Sequence, residues 1–201
     1  MSNDPMPIGE SVSGKLVVIS GPSGVGKSTV VAEVVQRCGE RVRLSVSATT
    51  RPPRGDEQQG VEYYFLTDEE FANRREKGDF LECMEVFGRG HWYGTLWSEV
   101  RPSLEGGKWV ILEIDVDGAQ DVLDKFEDPI TVFICPGSLA ELEQRLRSRG
   151  TENEEAITRR LSVAREELQL ADRYEYQVVN DTVPRAVDEI CTILQNRGLP
   201  K

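Results

Sequence analysis

The chain is 201 residues long, 38% hydrophobic and 29% charged. That excludes a disordered polymer and fits one globular domain with an insertion, at roughly 150 residues per domain. Its 24 basic and 35 acidic residues leave a formal charge of −11, which argues against a general nucleic-acid surface but not against a local basic pocket for a small phosphate ligand.

Residues 1–13 lack the apolar stretch of a signal peptide, and no apolar run approaches the length of a membrane span. A loose tail over 1–13 on a soluble, cytoplasmic protein without a membrane partner is the expectation. Leu16-Val17-Val18-Ile19 is a continuously apolar run, the pattern of a strand buried on both faces of a parallel sheet. A glycine-rich turn follows, then a helix from Lys27 to about Arg37, stopped near Gly39.

Residues 45–95 break the rhythm with turns (Pro52-Pro53, Gly55, Gly60), aromatic strand-like pieces at Tyr63–Phe65 and Phe80–Phe87, and one short helix. Thr67 and Glu70 have capping-box spacing at the start of that helix. Trp109–Ile114, Thr131–Ile134 and Tyr176–Val179 are further buried-strand runs. Helices are expected over about 116–126, 138–149, 153–172 and 182–196, with Ser138 and Glu141 as a second capping box. Alternating strands and helices predict an α/β fold: a parallel sheet covered on both faces, three layers deep, with a small mixed β lobe inserted early. The four cysteines (Cys38, Cys83, Cys135, Cys191) are scattered and His91 is the only histidine, so reduced thiols are expected rather than a zinc site.

Gly21-Pro22-Ser23-Gly24-Val25-Gly26-Lys27-Ser28 fits G-x-x-x-x-G-K-[ST], directly after a buried strand and opening a helix. Glycines let backbone N–H groups converge on phosphates, and the helix N-terminus adds its positive end. A plain glycine turn would explain the glycines but not Lys27-Ser28. The string predicts an ATP site, with Lys27 reaching the β- and γ-phosphates, Ser28 on Mg2+ and Thr29 beside it. Asp115 closes the strand Trp109–Ile114, two residues beyond Glu113, at the carboxyl end where ligands bind in open α/β sheets. Asp115 is a candidate for Mg2+ or nucleotide contact; a helix N-cap is the competing role for Asp115 or Asp117.

Arginine outnumbers lysine eighteen to six, and Arg145, Arg147, Arg149, Arg159, Arg160 and Arg165 give residues 145–165 a net charge of +3. Guanidinium groups bind two phosphate oxygens at once, so two short helices meeting at Gly150 suit a helical lid over phosphates. A solvated helix pair laced with Arg–Glu bridges is the plainer alternative. Residues Thr49–Phe65 present Arg51 and Arg54 three apart from a proline turn, followed by Glu57, Gly60 and Tyr63. Read alone, this is either an anion-binding turn or an ordinary surface turn.

With Thr49–Phe65 matching T-[STV]-R-x-x-[KR]-x-x-[DE]-x-x-G-x-x-Y-x-[FY] without a mismatch, the sequence resembles guanylate kinases. The resemblance runs from about Leu16 to Gln195 and includes Ser45-Val46-Ser47, Tyr93-Gly94-Thr95, Arg149-Gly150-Thr151-Glu152 and Val179-Asn180-Asp181. It implies a phosphate-loop kinase fold with core 14–44 and 96–201, a GMP lobe at 45–95 and a lid at about 145–160. It implies that Arg51, Arg54, Tyr63 and Tyr93 grip the GMP phosphate. Glu82 would accept from guanine N1–H and the 2-amino group, and Ser47 and Thr95 would face the O6 edge. The residues alone do not distinguish Glu82 from Glu85. Arg145, Arg149 and Arg160 would act at the transferring phosphoryl group, and Asn180 and Asp181 near adenine. The implied reaction is MgATP + GMP → ADP + GDP, with dGMP as a further acceptor, no general base and no role for His91, read as an exposed turn residue. Two departures from the family pattern lie beside the contact positions: Gly55-Asp56-Glu57, where Gly commonly precedes the acid directly, and Asp117, where bacterial members often have Gln. A same-fold kinase for another phosphate acceptor and a non-catalytic interaction module are the rivals; the intact Lys27-Ser28 argues against the second.

Overall fold

In the computed structural model, which describes residues 14–85, 90–148 and 153–200, nine strands form two sheets. The five-stranded sheet has the order β2-β7-β1-β8-β9 and is parallel throughout. Its strands are β1 (Leu16–Ser20), β2 (Val42–Leu44), β7 (Trp109–Glu113), β8 (Ile130–Pro136) and β9 (Tyr176–Asn180). Strand side chains alternate between faces. Val17 and Ile19, Trp109 and Ile111, and Ile130, Val132 and Ile134 point into one apolar cluster; Leu16 and Val18, Val110 and Leu112, and Phe133 point into the other. Both faces are buried, so these strands read as unbroken apolar runs rather than alternating ones. A leucine as fully enclosed as Leu112 contributes about 2–3 kcal/mol by its burial alone.

Helices α1 (Lys27–Cys38) and α7 (Val183–Asn196) cover the first face, with Val30, Val31 and Val34 packed among Ala186, Val187, Ile190 and Leu194. Helices α3 (Trp97–Glu105) and α4 (Val116–Lys125) cover the second. Strand β2 and helix α3 were not anticipated. Pro102 inside α3 removes a backbone donor and argues against a helix in sequence; burial of Val100 and Leu104 holds the segment helical regardless.

The four-stranded sheet has the order β4-β3-β6-β5, made of β3 (Ser47–Thr49), β4 (Tyr64–Phe65), β5 (Phe80–Glu85) and β6 (Trp92–Leu96). One pair is parallel and two are antiparallel, so the sheet is mixed. Helix α2 (Asp68–Glu76) closes it through a full Thr67–Glu70 capping box, and Phe71 stacks on Phe80 at 4.4 Å. Ala48, Phe71 and Leu96 form the lobe's own small core.

Helices α5 (Leu139–Ser148) and α6 (Glu154–Leu168) share another separate core of Leu142, Leu146, Ile157, Leu161 and Ala164. The Ser138 hydroxyl caps α5, whereas Glu141 pairs with Arg145. Helix α6 stops at Leu168 rather than near 172, and a 3-10 turn spans Ala171–Arg173. The expectations for residues 1–13 and for Arg149 lie outside the described residues.

Candidate active site

The phosphate loop joins β1 to α1 and turns on glycine geometry. Gly26 has φ +94°, and a Cβ there would stand 2.8 Å from the Asn180 side-chain nitrogen, so the position tolerates only glycine. Lys27 Nζ donates to the Gly21 carbonyl at 2.6 Å and reaches Pro22 O at 3.4 Å, folding the ammonium over its own loop. Ser28 Oγ donates to Glu113 Oε1 at 2.6 Å. The parallel register, which sets Ile19 beside Glu113, delivers that carboxylate to the start of α1.

Asp115 occupies the N-cap position of α4, yet its side chain makes no capping bond, so capping does not explain it. It lines the same cleft, and burial pushes its carboxyl above the ordinary value while the nearby Lys27 charge pulls the other way. Ser28, Glu113 and Asp115 gather hard oxygen donors beside the phosphate loop, the donor set that Mg2+ takes together with phosphate oxygens.

Two lid arginines already touch the loop. Arg160 Nη2 donates to Ser23 Oγ at 2.7 Å. Arg145 donates to Val25 O at 3.1 Å and Asn180 O at 2.9 Å, and is ion-paired with Glu141. Asn180 Nδ2 donates to the same Val25 carbonyl at 2.8 Å, which leaves its buried Oδ1 without a partner. Asp181 accepts from the Thr182 amide and pairs with Arg185. Arg147, by contrast, bridges Glu143 on α5 to Glu154 on α6, the salt-bridged role of an ordinary charged helix.

Opposite the loop, Arg51 is nearly enclosed, at 5% exposure. Its Nη1 and Nη2 each donate to one Glu57 carboxylate oxygen at 3.0 Å, Nη1 also reaches Pro52 O, and Nε donates to Tyr93 OH at 3.2 Å. Glu57 Oε2 accepts from the Arg54 amide as well, at 2.8 Å, so one carboxylate fixes both arginines of the turn. The guanidinium holds the Glu57 carboxyl below the usual range. Tyr63 and Tyr93 meet edge to face at 5.8 Å, and Arg51 lies over the Tyr63 ring. The next residue, Tyr64, points the other way and donates to Glu99 at 2.6 Å.

Glu82 lies in the cleft wall at 3% exposure and accepts from the Thr95 hydroxyl at 2.7 Å. Burial pushes its carboxyl up to about 7, against the lowering effect of the Thr95 bonds. Gly118 on α4 makes room for it: a Cβ there would lie 2.9 Å from Glu82 Oε2.

These groups share one cleft of about 850 Å³. Of the residues singled out from the sequence, Ser23, Lys27, Ser28, Ser47, Arg51, Arg54, Tyr63, Glu82, Tyr93, Asp115 and Arg160 line it. Thr95 is not among the lining residues; it sits between Ser47 and Glu82 in the sheet register, and its hydroxyl donates to the Glu82 carboxylate. Arg145, Asn180 and Asp181 lie outside the lining; Arg145 and Asn180 brace the loop at Val25. His91 was read as an exposed turn residue. It is half-buried and lines the cleft, because it leads directly into β6. Sequence reasoning missed Glu57 and Glu113 as partners. The acid position of the Thr49–Phe65 pattern signalled the first, and the apolar strand ending in Glu113 signalled the second.

Comparison with known proteins bears on what the cleft accepts. A family model described as guanylate kinase matches residues 13–197. A guanylate kinase of Rhodopirellula baltica is 56% identical over 182 residues, 90% of this chain and 87% of the relative. One from Nostoc sp. is 45% identical over 179 residues, covering 89% of this chain and 88% of the relative. Among solved structures, guanylate kinase from Anaplasma phagocytophilum superposes with a TM-score of 0.75 at 30% identity, covering 95% of this chain and 89% of that one.

Proposed function

The chain belongs to the guanylate kinase family, and from that premise we propose how its residues divide the work of the reaction. The protein transfers the γ-phosphoryl group of ATP, bound with Mg2+, to GMP, giving ADP and GDP. The observation that carries the assignment is a single cleft with Lys27 and Ser28 at one end and Arg51, Arg54, Tyr63 and Glu82 at the other. We assign GMP binding to residues 45–95, the lid to about 145–160 and the core to 14–44 and 96–201.

Guanine offers two adjacent donors, N1–H and the 2-amino group, and the Glu82 carboxylate receives both, with Thr95 orienting it and Ser47 beside the base. Adenine lacks that donor pair and would leave Glu82 unpaired in a closed pocket, which costs about 1–3 kcal/mol or more for a charged group. Arg51, held by Glu57, takes the GMP phosphate with Arg54, Tyr63 and Tyr93. The attacking phosphate oxygen is already ionised near neutral pH, so no side chain has to remove a proton, and His91 has no chemical task.

On the ATP side, the loop from Gly21 to Ser28, with Thr29, cradles the phosphates on its amides. Lys27 leaves the Gly21 carbonyl for the β- and γ-oxygens, and Arg160 leaves Ser23 for the transferring group, joined there by Arg149. Ser28, with Asp115 and Glu113 near it, would hold Mg2+, which would supply charge neutralisation at the phosphates. Arg145 and Asn180 brace the loop, and the unpartnered Asn180 oxygen and Asp181 mark the adenine side. Catalysis then rests on positioning and charge neutralisation. We assign this activity to the cytoplasm, where ATP and GMP are free in solution. No described helix is long and apolar enough to cross a membrane.

The test is ADP formation with MgATP and GMP, dGMP, AMP, CMP or UMP in turn. Fast turnover with GMP, slower with dGMP and almost none with the rest is expected. Silence with all five despite ATP binding would overturn the reading in favour of another acceptor.

A further inference from the structure

Two thiols separated by 153 positions in sequence meet in the fold. Cys38 ends α1, Cys191 lies within α7, and their sulfur atoms are 4.0 Å apart. The contact follows from the packing of α1 on α7, and neither residue lines the nucleotide cleft. Cys191 is 6% exposed, whereas Cys38 is half-buried, so the pair is reached from solvent on the Cys38 side. Arg37, ion-paired with Asp188, adjoins Cys38 in sequence and lies one helical turn from Cys191 through its partner. The hydrogen bond shared with Cys38 and the Arg37 charge pull the Cys191 thiol below its ordinary value, against the opposing effect of burial. A lowered thiol carries more of its thiolate at neutral pH, the reactive form. Cys83 and Cys135 have no such setting: burial pushes both thiols up.

We propose that Cys38 and Cys191 form an oxidation site that takes a hydroperoxide and closes to an intramolecular disulfide. The Cys191 thiolate attacks one peroxide oxygen; the O–O bond breaks, hydroxide leaves, and Cys191 becomes a sulfenic acid. The Cys38 sulfur then attacks the Cys191 sulfur, the S–O bond breaks, and the hydroxyl departs with the Cys38 proton as water. In sum, two thiols and one hydrogen peroxide give one disulfide and two waters, with two electrons passing from sulfur to oxygen.

A disulfide places its sulfurs about 2.05 Å apart, so the pair has roughly 2 Å to close, which rotation of both side chains and a small helix shift supply. The crosslink joins the far end of α1 to α7. Eleven residues, or about 16 Å of helix, separate Cys38 from Lys27, so the phosphate loop stays in place. The product is a stapled enzyme that still turns over. Closing so long a loop restricts the unfolded chain and should raise the thermal midpoint by roughly 5–15 °C.

The experiment treats the whole protein with hydrogen peroxide, blocks remaining thiols with iodoacetamide, and maps peptides by mass. The expected result is a Cys38–Cys191 linked peptide two hydrogens lighter than the two thiol peptides, with Cys83 and Cys135 alkylated. GMP phosphorylation should stay within twofold of the reduced protein. Dithiothreitol should reverse both the link and the rise in thermal midpoint, and Cys191→Ser should abolish the rise. Alkylation of all four thiols, a sulfinic acid on Cys191 without a link, or disulfides between chains would each overturn the proposal. The mapping of the unsubstituted protein decides the matter even if Cys191→Ser fails to fold.

Discussion

The two ends of the cleft are built on different principles. The phosphate end is a local device: eight consecutive residues, backbone amides and the start of one helix, with Lys27 resting on a carbonyl six residues back. The acceptor end is assembled from pairs made across the chain: Arg51 with Glu57 and Tyr93, and Glu82 with Thr95 across β5 and β6 beneath Gly118 of α4. A local device tolerates change in the rest of the fold and fails at a single residue. An assembled one fails by degrees, as each pair loosens.

Substitutions should expose that difference. Lys27→Ala should have the largest effect, lowering kcat by about 10²–10³-fold, as for loss of one charge-stabilising group at a transition state. Its thermal midpoint should barely move, because Lys27 holds only loop carbonyls; steady-state kinetics and a melt check both. Glu82→Gln should lower kcat/KM for GMP by roughly 10–100-fold, the worth of a charge-assisted hydrogen bond, with KM for ATP unchanged.

The same residue sets a pH dependence. Its carboxyl lies at about 7 in the fold against an ordinary 4.5. A carboxyl raised by folding favours the folded state fully below pH 4.5, and that advantage is lost as pH rises through 7. The nucleotide-free protein should therefore lose thermal stability between pH 5 and 8 more steeply than Glu82→Gln, by about 3 kcal/mol in all. In the opposite direction, KM for GMP should rise as pH falls below 7 in the unsubstituted protein, because protonation removes an acceptor. Equal pH profiles for the two proteins would break this account.

Glu57→Gln replaces one acceptor oxygen with a donor facing an Arg51 N–H. It should raise KM for GMP about tenfold with kcat little changed, and Glu57→Asp should recover part of the loss. Arg147→Ala marks the lower limit. It removes two half-exposed bridges, one within α5 and one from α5 to α6, of a kind that solvent screening leaves weak, so kcat should stay within twofold. A Glu57 effect as small as that of Arg147 would mean that the acceptor end is less dependent on its pairs than its geometry states.

Legibility in the sequence follows the same division. Gly21–Ser28, the apolar strands on either side and the Thr67–Glu70 cap were readable because each is specified within a few residues. Helix α3 was hidden by Pro102, whose local cost is outweighed by the burial of Val100 and Leu104. The approach of Glu113 to Ser28 needs the β1–β7 register, which no short window contains. The bond from Thr95 to Glu82 likewise depends on the pairing of β5 with β6, which sets those two residues opposite each other. The family resemblance singled out Glu82 and Arg51; only the fold supplies Glu57 as the anchor of Arg51.

The apolar interior is divided as unevenly as the chemistry. Among the described residues, the lobe that carries Arg51 and Glu82 has three fully buried apolar side chains in its own cluster, whereas the cluster under α1 and α7 has twenty. Local opening follows the amount of apolar surface that must be exposed. Amides of β3 and β4 should therefore exchange with solvent deuterium well before those of β1 and β8, and GMP, by tying Arg51, Tyr63 and Glu82 together, should slow that exchange. The recognition surface is thus the least insulated layer of the molecule, and its order is completed by what it binds.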